Sequence, residues 1–148
     1  MSHFSVIKTT IRNKDVLIQA IKALGFIPIC SEECNLIARN TAGLRPEQCY
    51  KVNILIESKY LHDPCFNYVI DLGIKFENGE AVFIYDGWYS SEKNLISRIK
   101  KEYSRISVLN SVKELKKLYG DDVKFTIKEV DFSNEIEFEV EIPDYQYQ

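Results

Sequence analysis

The sequence is poor in the residues that loosen a chain, since its 148 residues include only six glycines and four prolines. This scarcity excludes a disordered or low-complexity chain, in which such residues are enriched. No stretch approaches the roughly 20 consecutive apolar residues of a membrane-spanning helix. Residues 1–5 also lack the basic and apolar regions of a secretory signal peptide. We therefore expect one globular domain over residues 1–148, located in the cytoplasm.

Residues and motifs that usually carry catalysis or cofactor binding are also scarce. His3 and His62 are the two histidines, and neither GxGxxG nor GxxxxGK[ST], the patterns of phosphate-binding loops, occurs. The cysteines lack the paired spacing of structural zinc sites, and a reducing compartment disfavours disulfides; they are Cys30, Cys34, Cys49 and Cys65. We therefore predict no cofactor, no metal and no catalytic residues, and expect the cysteines to be buried as small apolar residues. A zinc or redox protein is the least favoured alternative.

Bulky apolar residues, in contrast, are well represented. Hydrophobic residues make up 45% of the chain, with nine tyrosines, eight phenylalanines and one tryptophan. Their spacing predicts the element order β-α-β-β-β-β-α-β-β. We therefore predict an α+β fold, with a mostly antiparallel sheet and helices on one face. The order also allows two duplicated strand-helix-strand-strand units, although no repeat is visible in the residues.

Two helices are predicted from caps and apolar stripes. Asn13 suits the N-cap of a helix over residues 14–24, and Gly25 suits its end. The second helix has apolar residues at helical spacing with a phase shift near Ser107. This pattern predicts one bent helix or two consecutive helices that end at Gly120.

The strands are predicted from runs of alternating or β-branched residues. Asn78-Gly79 between two such runs predicts a hairpin with a type I′ turn, because that turn needs positive φ at both central residues. The predicted strands are 4–11, 26–30, 50–57, 68–76, 81–85, 123–130 and 135–142, followed by a frayed tail over 143–148.

Charge is distributed unevenly although the net charge is only −3. Residues 93–117 contain eight basic and two acidic side chains, whereas residues 121–148 contain nine acidic and two basic ones. Glutamates alternate with apolar residues along the last predicted strand, which indicates that one face of the sheet is solvated. The basic segment either binds an anionic partner or offsets the acidic segment within the fold.

The N-terminal block resembles a known family. Residues 1–5 read Met-Ser-His-Phe-Ser, Ile7–Thr9 read Ile-Lys-Thr, and Ile11–Asn13 read Ile-Arg-Asn, before a helix that ends in Leu24-Gly25. This block is similar to the start of the plastid and cyanobacterial family of hypothetical open reading frame thirty-five, a domain of unknown function. Residues 87–89 and 98–109 are more weakly similar to the approach to its second helix and to that helix.

The resemblance implies a small intracellular protein, stromal if plastid-encoded, without assigned catalytic residues. Cys30, Cys34 and the loop over 39–46 depart from the plastid branch, which indicates a divergent bacterial or viral member. Bacterial relatives lie near AAA-type ATPases, and this neighbourhood implies an accessory or adaptor role.

Candidate contact residues in the N-terminal block lie on the first predicted strand. Alternation places His3 and Ser5 on one face, and Lys8 and Arg12 on the other. A His3–Ser5 pair either contacts a ligand or only satisfies a strand edge or a neighbouring loop.

Further candidates lie in the loop over 39–46 and in the second helix. Arg39 and Arg45 are suited to an anion site in that loop. Trp88 is either a packing anchor or, on the surface, a residue that dominates binding. Arg98 and Lys101 represent the basic helix, which either tracks phosphates or forms a solvated face.

Two functional hypotheses follow from these observations. The first is a non-enzymatic binding or adaptor protein that acts through a protein partner, an AAA-type ATPase being the class that the resemblance implies. The alternative is binding of nucleic acid or of an anionic small ligand through the basic helix over 93–117. A membrane partner is not expected.

Overall fold

The computed structural model describes residues 4–39, 49–61, 71–86, 90–130 and 135–141. Within these residues it contains nine strands, two α-helices and short 3₁₀ turns. In chain order the strands and helices are β1 (Phe4–Lys8), α1 (Lys14–Ala23), β2 (Ile29–Cys30), β3 (Leu36–Arg39), β4 (Cys49–Val52), β5 (Ile54–Ile56), β6 (Leu72–Glu77), β7 (Glu80–Asp86), α2 (Ser90–Tyr119), β8 (Lys124–Val130) and β9 (Glu135–Glu141).

Five strands form the main sheet in the order β1-β7-β6-β5-β2, and every neighbouring pair is antiparallel. The predicted α+β class with a mostly antiparallel sheet is therefore confirmed. α1 connects β1 and β2, which lie at opposite edges, so that β5, β6 and β7 fill the sheet between them. The remaining described strands form two ribbons, β3–β4 and β8–β9.

Both helices cover one face of the main sheet. The buried side chains of Leu17 and Ile21 from α1 and of Ile96 and Ile99 from α2 join one core cluster with the sheet. Each fully buried aliphatic side chain of this kind contributes about 1.5–3 kcal/mol. The sheet residues of this cluster alternate along their strands and are Ile54, Ile56, Leu72, Ile74, Ala81, Phe83 and Tyr85.

The β3–β4 ribbon covers part of the other face. Ala38 of β3 and Val52 of β4 are buried against Leu55 and Ile84 of the main sheet. The fold therefore has three layers, with helices on one side of the sheet and a two-stranded ribbon on the other.

Local sequence signals account for α1 and for the β6–β7 hairpin. Asn13 caps α1 by accepting a hydrogen bond on its side-chain oxygen from the Val16 N–H at 3.1 Å. Gly25 follows the helix with a φ of +95°, as a glycine at the helix end should. Asn78 and Gly79 have φ of 51° and 79°, which confirms the predicted type I′ turn.

The predicted strand over 50–57 divides at Asn53 into β4 and β5, which belong to different sheets. Asn53 is buried, and its side-chain oxygen accepts a hydrogen bond from the Phe76 N–H at 3.1 Å. Its own N–H donates to the Ile74 carbonyl at 2.9 Å, and its carbonyl accepts from the Ser31 N–H at 2.8 Å. The polar groups of Asn53 therefore hold the point at which the chain crosses from the ribbon into the main sheet.

Two other differences from the predicted order concern β3 and the duplication. β3 was not predicted, because only four residues after the polar run over 31–35 form it. The duplicated units are not seen in the described residues, where β8 and β9 pair with each other while β2 pairs with β5. The predicted tail over 143–148 and residues 68–70 of a predicted strand lie outside the described residues.

α2 is one helix of 30 residues, where the sequence predicted either one bent helix or two consecutive helices. Its first half buries Leu95 and Ile99 against the main sheet, whereas Val112 is buried in its second half and Leu118 is 76% exposed. β9 packs against α2. Neither described helix combines the length and the apolar composition that crossing a membrane requires.

Gly73 sets the distance between the main sheet and the ribbon. A Cβ atom at this position would lie 2.7 Å from Val52 Cγ1 and 2.9 Å from Ala38 Cβ. Real Cβ atoms do not approach other carbons so closely, so β6 needs a residue without a side chain where the ribbon crosses it.

We predict that Gly73→Ala lowers the free energy of unfolding by about 1–3 kcal/mol, because it overpacks the contact with the ribbon. Urea unfolding followed by circular dichroism measures the change. Val52→Ala removes the nearest methyl group, so the double variant should lose less than the sum of the two single losses.

Gly25→Ala is the matched control for Gly73→Ala. Its added Cβ meets no atom within 4 Å, and its cost comes from the positive φ alone. Val52→Ala should therefore add to Gly25→Ala without coupling. Equal coupling at both glycines would contradict the packing role of Gly73.

Candidate functional site

A cleft of about 400 Å³ lies between the end of β1 and α2. Residues 8–11 form one wall, and Lys100, Tyr103 and Ser104 form the other. The volume lies within the range of small-molecule pockets, roughly 300–1,000 Å³. We call this feature the β1–α2 cleft.

Hydrogen bonds to Ala81 hold the first wall in place. The Thr9 N–H and hydroxyl both donate to the Ala81 carbonyl, at 3.2 and 2.6 Å. The Ala81 N–H donates to the Ile11 carbonyl at 2.7 Å, and the Ile11 N–H donates to the Thr9 hydroxyl at 3.2 Å. The chain after β1 therefore stays tied to β7 up to the buried Ile11 and presents Thr10 to solvent.

The second wall is placed by the packing of α2 on the sheet. Ile99 is fully buried, and the next residue, Lys100, is half-buried at the cleft. The Tyr103 hydroxyl accepts a hydrogen bond from the Asn13 N–H at 3.3 Å, which joins α2 to the start of α1. Ser104 is exposed one residue further on. The cleft therefore offers an ammonium group beside several hydroxyl groups.

β1 borders this cleft and is an edge strand, with β7 as its one neighbour among the described strands. Hydrogen-bonded pairs alternate along an antiparallel ladder, and Thr9 donates to Ala81. The backbone groups of Val6 and Lys8 therefore face away from β7. The Val6 side chain is 50% exposed.

Lys8, a predicted contact residue, lies on the first wall of the β1–α2 cleft. The hydrogen bond and charge of Lys75, at 2.7 Å, lower the pKa of Glu77, and the Lys8 charge lowers it further. Side chains alternate along a strand, so Lys8 shares with Val6 the face of the sheet opposite α2. Lys100 is therefore the cation that we assign to the cleft.

The structure does not bring the other predicted contact residues into this cleft. Ser5 lies in β1 opposite Tyr85, and Arg12 pairs with Glu80 at 2.8 Å beside the hairpin turn. Arg98 is exposed and Lys101 is half-buried on α2, outside the lining of the cleft. His3, Arg45 and Trp88 lie outside the described residues.

Arg39 is engaged by a buried carboxylate. Asp71 is 0% exposed and accepts hydrogen bonds from the Arg39 N–H and Nε, both at 2.9 Å. It also accepts one from the Ser58 N–H at 2.9 Å, and its own N–H donates to the Arg39 carbonyl. The Arg39–Asp71 pair thus ties the end of β3 to the start of β6, which is a structural role.

We predict that Asp71→Asn lowers the free energy of unfolding by about 1–3 kcal/mol, because an amide cannot accept all the hydrogen bonds that the carboxylate accepts. Chemical unfolding measures it. The double variant Asp71→Asn/Arg39→Met should lose less unfolding free energy than the sum of the two single losses, since both changes break the same pair. Arg12→Met is the control, because its ion pair with Glu80 is exposed and contributes about 0–1 kcal/mol. A larger loss for Arg12→Met than for Asp71→Asn would contradict this assignment.

The expected burial of the cysteines is wrong for the two whose side chains are described. Cys30 and Cys34 are both exposed and unbridged. Cys30 lies in the two-residue edge strand β2, and the Cys34 thiol donates to the Lys51 carbonyl at 3.3 Å. A cysteine on an edge strand or in a bend has no apolar interior to pack into. The usual preference of cysteine for buried positions therefore does not hold for these two residues. The described residues contain no cluster of three or more metal-binding side chains.

We predict that Cys30 is alkylated more slowly near neutral pH than a free thiol. Partial burial raises the pKa of the Cys30 thiol, against the charges of Lys14 and Lys22, which lower it. Since the thiolate is the nucleophile, its reaction rate should rise at a higher pH than that of N-acetylcysteine. Iodoacetamide labelling across pH, read by peptide mass spectrometry, measures this, with protein in urea as the control. An alkylation rate of Cys30 that rises at the same pH as that of N-acetylcysteine, or at a lower pH, would refute this prediction.

Searches for similar proteins give no family model, no curated protein and no solved structure that matches this chain. The site is therefore argued from its own geometry. Lys100 and Tyr103 were visible in the sequence as members of the basic segment and of the apolar stripe. No sequence signal places them, or Ser104, beside the end of β1, because that contact depends on where α2 crosses the sheet.

Proposed function

We propose that this protein is a non-enzymatic binding protein that acts through a protein partner. The observation that supports this is the outer edge of β1, which no described strand covers, beside the β1–α2 cleft. An unpaired strand edge presents a row of backbone donors and acceptors, to which another chain can bind. A cleft alongside such an edge adds pockets for side chains, which give specificity.

The lining of the cleft favours binding over catalysis. Its described lining residues include no histidine, cysteine or carboxylate. Lysine, tyrosine and serine can also act as acid–base groups or nucleophiles, but no hydrogen bond among the described residues joins the Lys100 ammonium to the Tyr103 or Ser104 hydroxyl as a catalytic pair. Lys100 and the neighbouring hydroxyl groups are suited to holding an anionic or polar group in place.

Binding of an anionic small ligand is a second candidate, favoured by the same ammonium and hydroxyl groups. Nucleic acid along the whole basic helix is less favoured. The glutamate-rich strand β9 packs against α2, so that acidic and basic segments lie side by side in the fold. Strong nucleic-acid binding depends on positive charge that is free to replace counterions.

Lys100→Glu tests the proposal because it reverses the charge of the half-buried Lys100 on the α2 wall of the cleft. A tagged full-length chain would be used to recover partners from native lysate, with and without nuclease. An AAA-type ATPase is the partner class that the family resemblance implies. We expect a nuclease-resistant protein partner whose recovery falls at least about tenfold with Lys100→Glu, the loss typical of one dominant contact.

Lys113→Glu is the matched control, since Lys113 is an exposed lysine in the second half of the same helix. It should leave recovery of the partner within about twofold of the unmodified chain. Equal losses for both variants would indicate a general charge effect and overturn the role of the cleft. Loss of all bound material on nuclease treatment would favour the nucleic-acid alternative.

A further inference from the structure

We infer that the partner enters as an extended, acidic segment that adds a sixth strand to the main sheet beside β1 and places a carboxylate at Lys100. This inference rests on the proposed function, and it names the part of the partner that the cleft recognises. Three features of the described residues support it: the backbone of β1, the Val6 side chain and the charge of the second wall.

The backbone of β1 is ready to pair with another strand. Ile7 and Thr9 use their backbone groups toward β7, so those of Val6 and Lys8 are directed to the open edge. A strand added there would lie about 4.8 Å from β1. Continuing past Lys8, it would reach the part of the cleft formed by residues 8–11.

The exposed Val6 side chain indicates an apolar residue in the segment. Val6 pairs with Ile84, which is buried on the ribbon side of the sheet, yet Val6 itself is 50% exposed. A β-branched or aromatic residue directly opposite on the added strand would cover it. Such cross-strand pairs contribute roughly 0.2–1 kcal/mol.

The charge of the cleft indicates an acidic residue in the segment. No ion pair of Lys100 is found among the described residues, whereas Arg12 and Arg39 are paired with carboxylates. Side chains alternate between faces, so residues of the segment next to the one covering Val6 point to the helix side, where Lys100 lies. A carboxylate there gains the ammonium as well as the hydroxyl groups of Thr10 and Ser104.

The test is selection of random eight-residue peptides displayed on phage against the full-length chain. We expect the enriched peptides to have β-branched or aromatic residues at every second position. We also expect Asp or Glu at one fixed position among the others. Lys100→Glu should replace that acidic preference with Lys or Arg. A synthesised enriched peptide, measured by fluorescence anisotropy, should lose affinity at least about tenfold with Lys100→Glu and not with Lys113→Glu.

Amide hydrogen exchange then tests the strand pairing directly. The enriched peptide should slow exchange at Val6 and Lys8, while Ile7 and Thr9 are already bonded to β7. Val6→Pro removes an outward N–H without removing a bond to β7, a change that edge strands tolerate. It should weaken peptide binding while leaving the thermal unfolding temperature within a few degrees; if Val6→Pro fails to fold, the exchange measurement on the unmodified chain decides.

The outcomes separate this inference from the proposed function. A protein partner that depends on Lys100, together with peptides that lack a fixed acidic residue or leave Val6 and Lys8 unprotected, would overturn the inference and leave the function standing. Failure to enrich any peptide, or binding of inorganic phosphate alone in the cleft, would also overturn it. Failure of the lysate experiment would overturn the function itself.

Discussion

Ala81 is the residue on which the geometry of the site depends. Its carbonyl accepts the Thr9 hydrogen bonds and its N–H donates to Ile11, so the chain leaves β1 at a fixed point and reaches α1 at a fixed angle. Only Glu80 separates Ala81 from the Asn78-Gly79 turn, and the tight turn therefore determines where β7 presents these groups. The Tyr103 hydroxyl accepts a hydrogen bond from Asn13 at the start of α1. The positions of both walls of the cleft therefore depend on the same hairpin.

The position of the β3–β4 ribbon explains why the Val6 side chain of β1 is exposed. The ribbon packs over β5 and β6, where Gly73 permits close contact, and it covers Ile84 of β7. Val6, one strand further out, remains half exposed. The interior of the sheet is thus covered on both faces, while no described strand pairs with the outer edge of β1.

Local chemistry made much of this fold predictable. The Asn13 cap, the glycine after α1 and the Asn78-Gly79 turn depend on neighbouring residues, and the structure confirms each. The division of one predicted strand at Asn53 was not predictable, because the hydrogen bonds that stabilise it come from Phe76, Ile74 and Ser31. The cleft was not predictable either, because its residues are separated by about 90 positions and meet only through the packing of α2.

The charge pattern acquires a more definite meaning once α2 and β9 are seen side by side. The helix α2, which carries the basic segment, lies beside β9, whose sequence is rich in glutamate. Lys100 differs from the other basic residues of α2 because it lies in the first half of the helix, next to the buried Ile99, and lines the cleft beside β1. Recognition by this protein would then depend on one well-placed cation and a strand edge, and its salt dependence should correspond to about one ion pair and not to a phosphate backbone.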